Sequence, residues 1–497
     1  MNVSIPILIV GTGFAGLCQG IKLREAGCDD FIIIERAADI GGVWRDNSYP
    51  GIECDVPSHF YSFSFRPNPN WTKVFPKGAE ILEYLKACAT EAHLYPHIHF
   101  NTDMLDARWD EAAGHWLVKT SRETYEAKIL IAAAGHLADP IFPDVEGLED
   151  FTGIKFHSAT WDHSAQLEGK RIGVVGTGAS AVQVIPEMQK IASELVVFQR
   201  SAAYMNPRPD RIFTEAEKRL LRRDRRAVEA IRADIFWFGE SQFAERRLVP
   251  QYYQAAKTRS LDYMKSLVSD PELQRKLTPD YELGCKRRLS SNKFYPAVTQ
   301  DNVEVEDSAL VRVEGSTAYG ASGKGYDLDV LIFATGFEAK RPPFAELIYD
   351  ANGVSLDAYW QQGMQAYDCI ACAGYPNLFV IYGPNTGLGH NSAVYIIESQ
   401  AQYIIDALNY MDANGIEYFE ARKEAEDQYA NDLHEVAQGS VWLEGGCKSW
   451  YVDERSGRLT VVWPDFAYSF REENGYFHPE GYDLRPSIVT GAPPATT

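Results

Sequence analysis

IPILIVGTGFAG, residues 5–16, decides the fold. An apolar run passes without interruption into Gly11-x-Gly13-x-x-Gly16. Such a run is the pattern of a strand buried on both faces of a parallel sheet. The first glycine permits a tight turn, the second lets backbone approach a pyrophosphate, and the third lets the following helix pack on the strand. That helix, expected over residues 14–26, turns its unpaired N–H groups toward the anion. The next strand, FIIIE at 31–35, ends on Glu35. A carboxylate there accepts both ribose hydroxyls and repels a 2'-phosphate, so this unit suits FAD or NAD rather than NADP.

Outward from this unit come a helix over 78–90 and an alternating, hairpin-like stretch over 114–133 that ends in KILIAAAG. A linker with prolines and a glycine follows at 139–147. The same grammar then restarts. RIGVVGTGASAVQVI, residues 171–185, is again strand, glycine turn and helix, with Gly176, Gly178 and Ala181 at the three motif positions. The strand after it, LVVFQRS at 195–201, ends in Arg200 and Ser201 instead of an acid. A guanidinium with a hydroxyl can hold a 2'-phosphate, which assigns NADPH to this unit. Residues 211–280 are charged and helix-rich, an insertion in the second unit expected to lie over the active site. DVLIFATGF at 329–337 is a strand expected to return toward the first unit, NLFVIYGPN at 377–385 is another, and 393–413 is a helix behind it. The fold class is therefore α/β, with two Rossmann-like dinucleotide-binding domains. Residues 1–150 form the first part of one domain, 151–335 the second domain with its insertion, and 336–497 the rest of the first domain plus a C-terminal tail. PPATT at the very end is expected to fray.

The 497 residues are enough for two or three domains. A net charge of -21 repels nucleic acid and anionic membrane, so neither is an expected partner. The basic stretch Lys218, Arg219, Arg222, Arg223, Arg225 and Arg226 runs against that balance. It reads as a solvated helix face, with steering of an anionic cofactor or lipid as the alternative. No apolar stretch is long enough to span a bilayer and the N-terminus lacks a basic leader, so a cytoplasmic location is expected. Eight cysteines are spread along the chain, which reads as reduced, intracellular usage. Cys369 and Cys372 form a single CxxC, read as two packed thiols, with a redox dithiol or half of a zinc site as alternatives. No second CxxC, paired histidine motif or HExxH completes a metal site, so no metal is expected. A serine hydrolase lacks its Gly-x-Ser-x-Gly elbow.

Two further stretches are more specific. One is Gly41-Gly42-Val43-Trp44, continuing to Tyr49-Pro50-Gly51 and Cys54-Asp55. The other is FTGIKFHSATWD at 151–162, with Phe151, Gly153, His157, Trp161 and Asp162. Together they closely resemble the two fingerprints of the type I Baeyer-Villiger monooxygenases. The resemblance runs over most of the chain and includes GCKRR at 284–288, ATGF at 334–337, YGPN at 382–385 and Ser449-Trp450-Tyr451. Tryptophan followed by aspartate at 161–162 favours the ketone-oxidising branch over relatives that oxygenate amines or sulfides. The chain departs from the family at 133–135, where Ala-Ala-Gly replaces the commoner Ala-Thr-Gly, and its tail resembles only some members.

The resemblance implies FAD at the first site, NADPH at the second, and a ketone and O2 as substrates. In the family's mechanism NADPH reduces the flavin and O2 then gives a C4a-peroxide. Kept anionic, it adds to the carbonyl, and the tetrahedral adduct rearranges to an ester or lactone. Arg287 matches the arginine of the family's Lys-Arg pair and is the first catalytic candidate. A fixed positive charge stabilises peroxide and oxyanion, and arginine cannot deprotonate. Asp55 matches its carboxylate partner and is the second. Lys286 matches the lysine that reaches the 2'-phosphate together with Arg200. Trp44 and Tyr49 are expected to wrap the flavin end of FAD, and Gly42, Asp55 and Tyr61 are also expected to bind cofactor. Asn385 is expected beside the flavin or nicotinamide, and Trp450 over the NADP and substrate. His157 sits in the inter-domain motif and is read as coupling domain rotation, with no general-base role. The rivals are an N- or S-oxygenating flavin monooxygenase, an NADPH oxidase and a flavin-linked dithiol reductase. Monomer and homodimer are equally allowed.

Overall fold

The protein is described by a computed structural model over residues 2–486, and the terminal PPATT lies outside the described residues. Two separate parallel cores follow from the two strand–glycine–helix units. In the first, strand Asn2–Val10 pairs in parallel with Phe31–Ile34 on one side and Thr124–Ala132 on the other. Ile7 and Ile9 point to one face and Leu8 and Val10 to the other, and all four are buried. One face is covered by helices Phe14–Glu25, Gly78–Glu91 and Ala393–Asn414. Trp360, Trp442, Tyr451 and Val461 cover the other. His115–Thr120 and Thr124–Ala132 form the antiparallel hairpin expected over 114–133, and Met104–Asp110 adds to it as a further antiparallel strand beside His115–Thr120. Leu378–Val380 pairs with the far end of Thr124–Ala132, so a strand from the last third of the chain joins the sheet begun by the first.

The second sheet runs in the order Val303–Glu306, Glu194–Phe198, Arg171–Val175, Val330–Phe333, Ile154–His157, all parallel. Val330–Phe333 lies inside this sheet, which corrects the expectation that it returns to the first. Four consecutive side chains with no solvent exposure need neighbours on both faces and both edges. The chain crosses back only afterwards, where Phe337 pairs with Pro140 of the outgoing linker. The insertion contains helices Glu215–Arg223, Arg225–Ser241, Phe243–Arg246, Pro250–Leu267 and Pro271–Lys276. Its basic stretch pairs locally, Lys218 with Glu215, Arg225 with Glu229 and Arg226 with Asp224, as a solvated helix face does.

Cys285 and Cys447, 162 residues apart, form a disulfide, so the reading of uniformly reduced cysteines is corrected. Neither belongs to a local motif, and only the docking of the tail brings them together. Cys369 and Cys372 are unbonded and fully buried, and burial pushes both thiols well up, away from the thiolate form that redox exchange needs. Among the described residues no helix is long and apolar enough to cross a membrane, and no group of His, Cys, Asp or Glu is placed to hold a metal.

Candidate active site

The glycines of the two turns divide into those the fold demands and those it does not. A Cβ at Gly11 would stand 2.8 Å from the Ala133 carbonyl oxygen, one at Gly16 1.9 Å from that of Gly11, and one at Gly176 2.5 Å from that of Ala334. Ala181, at the third position of the second turn, is fully buried where helix meets strand. Gly13 and Gly178 differ. A Cβ at Gly13 meets only Gly42, at 3.8 Å, and nothing lies within 4 Å of one at Gly178. Neither has a left-handed φ. Nothing in the chain forbids a side chain there, whereas a pyrophosphate lying on the turn does. Helices Phe14–Glu25 and Ala181–Gln189 open on these turns without side-chain caps, leaving N–H groups for phosphate oxygens. Gly178→Ala is therefore expected to leave the melting temperature unchanged and raise the NADPH KM. Paired thermal melts and steady-state kinetics check this, and a lower Tm with unaltered KM would return Gly178 to the fold.

Glu35 is fixed at the mouth of the first turn. Its carboxylate accepts from Thr12 N at 3.1 Å, Thr12 Oγ1 at 2.5 Å and Ala37 N at 2.9 Å, and pairs with Arg45 at 3.0 Å. Trp44 Nε1 donates to the Tyr61 hydroxyl at 3.2 Å, and the Tyr61 ring packs 5.1 Å from Phe14 at the helix start. Gly42 lies against the turn itself, since a Cβ there would be 3.0 Å from Gly13 Cα. In the second unit Lys286 Nζ donates to Ser201 Oγ at 2.9 Å. Burial and the neighbouring Arg200 charge push the Lys286 ammonium down, with Asp280 offsetting only part. A lysine bonded to a hydroxyl, with a second cation near enough to act on it, fits a doubly charged phosphate.

Asp55 and Arg287, 232 residues apart in sequence, meet at one carboxylate oxygen: Nε donates to Oδ2 at 2.9 Å and Nη2 lies 2.8 Å from the same atom. Burial pushes the Asp55 carboxyl up, but the Arg287 charge and hydrogen bond, with Arg208 behind, outweigh it and hold the group below the usual range. The Asp55 charge in turn raises the Arg287 guanidinium further, against the effect of burial. A carboxyl depressed on folding adds stability above its ordinary value of 3.8 and loses that contribution only as pH falls through its lower folded value. A pH–rate profile is thus expected to show no acid limb from Asp55 above 3.8, and Asp55→Asn to leave the limb positions there unmoved.

Tyr451, only 2% exposed, contributes a phenol beside Arg287. Trp450 packs on Tyr451 with ring centroids 4.4 Å apart and reaches His136, which stacks on Tyr382. The tail thus closes onto the Asp55–Arg287 pair. Tyr451, Arg208 and Arg45 escaped the sequence reading. Tyr451 and Arg45 had signals, their places directly after Trp450 in the tail motif and after Trp44 in the first fingerprint, whereas Arg208 stands in ordinary loop sequence. His157 is fully buried, accepts from Ala159 N through Nδ1, and is pushed down to about 4 by burial, so it is neutral and sheltered.

Two residues expected at the cofactors also have protein partners. The Tyr49 hydroxyl bonds Gln183 at 3.3 Å and its ring belongs to the second unit's core, with Val182 and Ile185. Gln183 also bonds both the N–H and the carbonyl of Glu53. The 49–53 turn therefore docks the first unit on the helix of the second, because that apolar helix face is the surface its aromatic ring can reach. Asn385 donates its amide to the carbonyls of Leu459 and Val462 at 2.7 and 3.2 Å, which commits that nitrogen to holding the tail.

Two glycine cradles, one closed by an acid and the other by cations, define a two-dinucleotide oxidoreductase. The family pattern of the pyridine nucleotide-disulphide oxidoreductases accordingly matches residues 8–225. A Baeyer-Villiger monooxygenase of Pseudomonas aeruginosa is 39% identical over 96% of this chain and 91% of its own length. One of Streptomyces coelicolor is 41% identical over 94% of this chain and 90% of its own. The crystal structure of OTEMO in complex with FAD and NADP superimposes with a TM-score of 0.86 at 25% identity, covering 98% of this chain and all of the other. The chain belongs to the Baeyer-Villiger monooxygenases, FAD-dependent oxygenases that act on ketones with NADPH and O2.

Proposed function

We propose that Arg287, oriented by Asp55, supplies the positive charge that stabilises oxygen transfer to a ketone carbonyl. The Gly11–Gly16 turn holds FAD in a domain built from residues 1–150 and 336–486. The Gly176–Ala181 turn holds NADPH in residues 151–335. Bound flavin, reduced by NADPH, supplies the activation of O2. The Asp55–Arg287 pair carries this reading. It fixes the guanidinium plane through two donors and leaves other donors of the fork for the oxygen of a substrate carbonyl. Glu35 receives the FAD ribose hydroxyls, and Lys286, Arg200 and Ser201 receive the 2'-phosphate. Tyr451 lies beside the pair, with Trp450 packed on it. The buried, unbonded Cys369 and Cys372 take no part, so changing both to serine leaves oxygenation intact.

The test is a reaction of the FAD-loaded protein with NADPH, O2 and a panel of ketones, sulfides and amines, with product masses and hydrogen peroxide release followed together. Esters or lactones one oxygen heavier than the ketone support the reading. Sulfoxides or N-oxides alone place the protein with the heteroatom-oxygenating relatives. Hydrogen peroxide alone, formed equally with every compound, makes it an NADPH oxidase.

A further inference from the structure

The Cys285–Cys447 disulfide joins the two segments that meet over Arg287. Cys285 directly precedes Lys286 and Arg287, and Cys447 lies just before Trp450 and Tyr451. These are the two cysteines that pair, and Cys18, Cys28, Cys54, Cys88, Cys369 and Cys372 stay free. Oxidation is therefore selective for the position that couples the tail to the site. Cys285 is fully buried, while Cys447 is partly exposed, so Cys447 is the half of the bond nearer solvent. The surrounding contact does not depend on the bond alone. Glu282 N donates to the Gly445 carbonyl at 2.9 Å, and Gly445 packs so closely that a Cβ there would stand 2.6 Å from Cys285 Cβ. Opening the disulfide thus leaves the loop docked but removes the covalent tie between the Lys286–Arg287 segment and the tail that carries Trp450 and Tyr451.

We propose that Cys285–Cys447 is a thiol–disulfide exchange site at which a dithiol reductant loosens the closure of the tail over Arg287 and the NADPH site. The proposal rests on the reading of Trp450 and Tyr451 given above. In the first step a thiolate of the dithiol attacks Cys447 Sγ, the S–S bond breaks, and Cys285 leaves as a thiolate and takes up a proton. The second thiol of the reductant then displaces Cys447 from the mixed disulfide. The protein disulfide gains two electrons and two protons, and the dithiol is oxidised to its own disulfide.

The FAD-loaded protein, before and after incubation with dithiothreitol, is alkylated natively, mapped by mass spectrometry, and assayed for NADPH KM and hydrogen peroxide release. Cys447 is expected to resist alkylation before reduction and accept it afterwards. The NADPH KM should rise roughly three- to tenfold, the effect of losing about one positioning hydrogen bond, with more hydrogen peroxide escaping. Reoxidation should reverse both. Cys447→Ser should show the raised KM without reductant and no response to it, while Cys28→Ser, which removes a partly exposed free thiol, should respond as the parent does. Labelling of Cys447 before any reductant overturns the proposal, as does reduction that leaves KM and peroxide release unchanged. Trp450→Ala separates the two readings: an unchanged KM there removes Trp450 from cofactor closure, while the labelling still reports the exchange.

Discussion

Arg287→Ala is expected to keep FAD bound and to lose ester formation, with kcat falling about 10²- to 10³-fold, the loss that follows removal of one oxyanion-stabilising donor. FAD retention follows from placement. The glycine turn, Glu35 and the Trp44–Tyr61 pair that frame the first site make no contact that depends on Arg287. Loss of chemistry follows from charge. Burial opposes the guanidinium, yet the Asp55 carboxylate more than compensates, so the protein maintains a cation where oxygen carries developing negative charge. Arg287→Lys should recover part of the rate, because an ammonium restores charge without the planar fork. Removing the guanidinium also strands Asp55, whose side chain is 26% exposed, so some stability is lost with it. Arg287→Ala combined with Asp55→Ala is expected to recover Tm and not kcat. Stopped-flow absorbance, product mass and thermal melts read these outcomes, and full turnover in Arg287→Ala would remove the residue from the chemistry.

The division between what sequence reveals and what it hides has a physical pattern here. The two cradles were legible because each is local. Strand, turn, helix and the ribose-contacting residue lie within about 30 residues, as a βαβ unit requires. Their assignment also rested on charge: Glu35 closes one turn and Arg200 the other, and both stand where the motif places them. The Asp55–Arg287 pair spans 232 residues, and no periodicity could have joined them. It came from resemblance alone, and the structure supplies the geometry. The Cys285–Cys447 bond had no motif at either end. The protein partners of Tyr49 and Asn385 were hidden for a related reason. An aromatic or amide in a loop near a cofactor motif can turn toward the ligand or toward the neighbouring element. Gln183 and the Leu459 and Val462 carbonyls, which decide the matter, lie more than seventy positions away. The strand Val330–Phe333 was recognised as a strand but not placed, because an apolar tetrapeptide fits the middle of either sheet equally well.

Lys286→Ala and Arg200→Ala are each expected to raise the NADPH KM about 10- to 100-fold, the range of a charge-assisted hydrogen bond, and to leave kcat and the NADH KM nearly unchanged. The selectivity follows from what the two cations do in the protein alone. Lys286 bonds Ser201, and burial together with repulsion from Arg200 depresses the lysine. Removing either cation relieves the other, so neither substitution should lower Tm. A phosphate bound between them exchanges that repulsion for attraction, which makes it the source of the affinity difference between NADPH and NADH. The 2'-phosphate is remote from the nicotinamide ring, so these contacts act equally on ground and transition states and appear in KM. The double variant should lose less than the product of the single effects, because both residues hold the same phosphate. Higher salt should narrow the gap between parent and variants as screening weakens the attraction. Steady-state kinetics with both nucleotides decide the matter. A parallel rise in the NADH KM would mean that Lys286 and Arg200 hold the shared pyrophosphate, and NADPH preference would then have to come from elsewhere in the second unit.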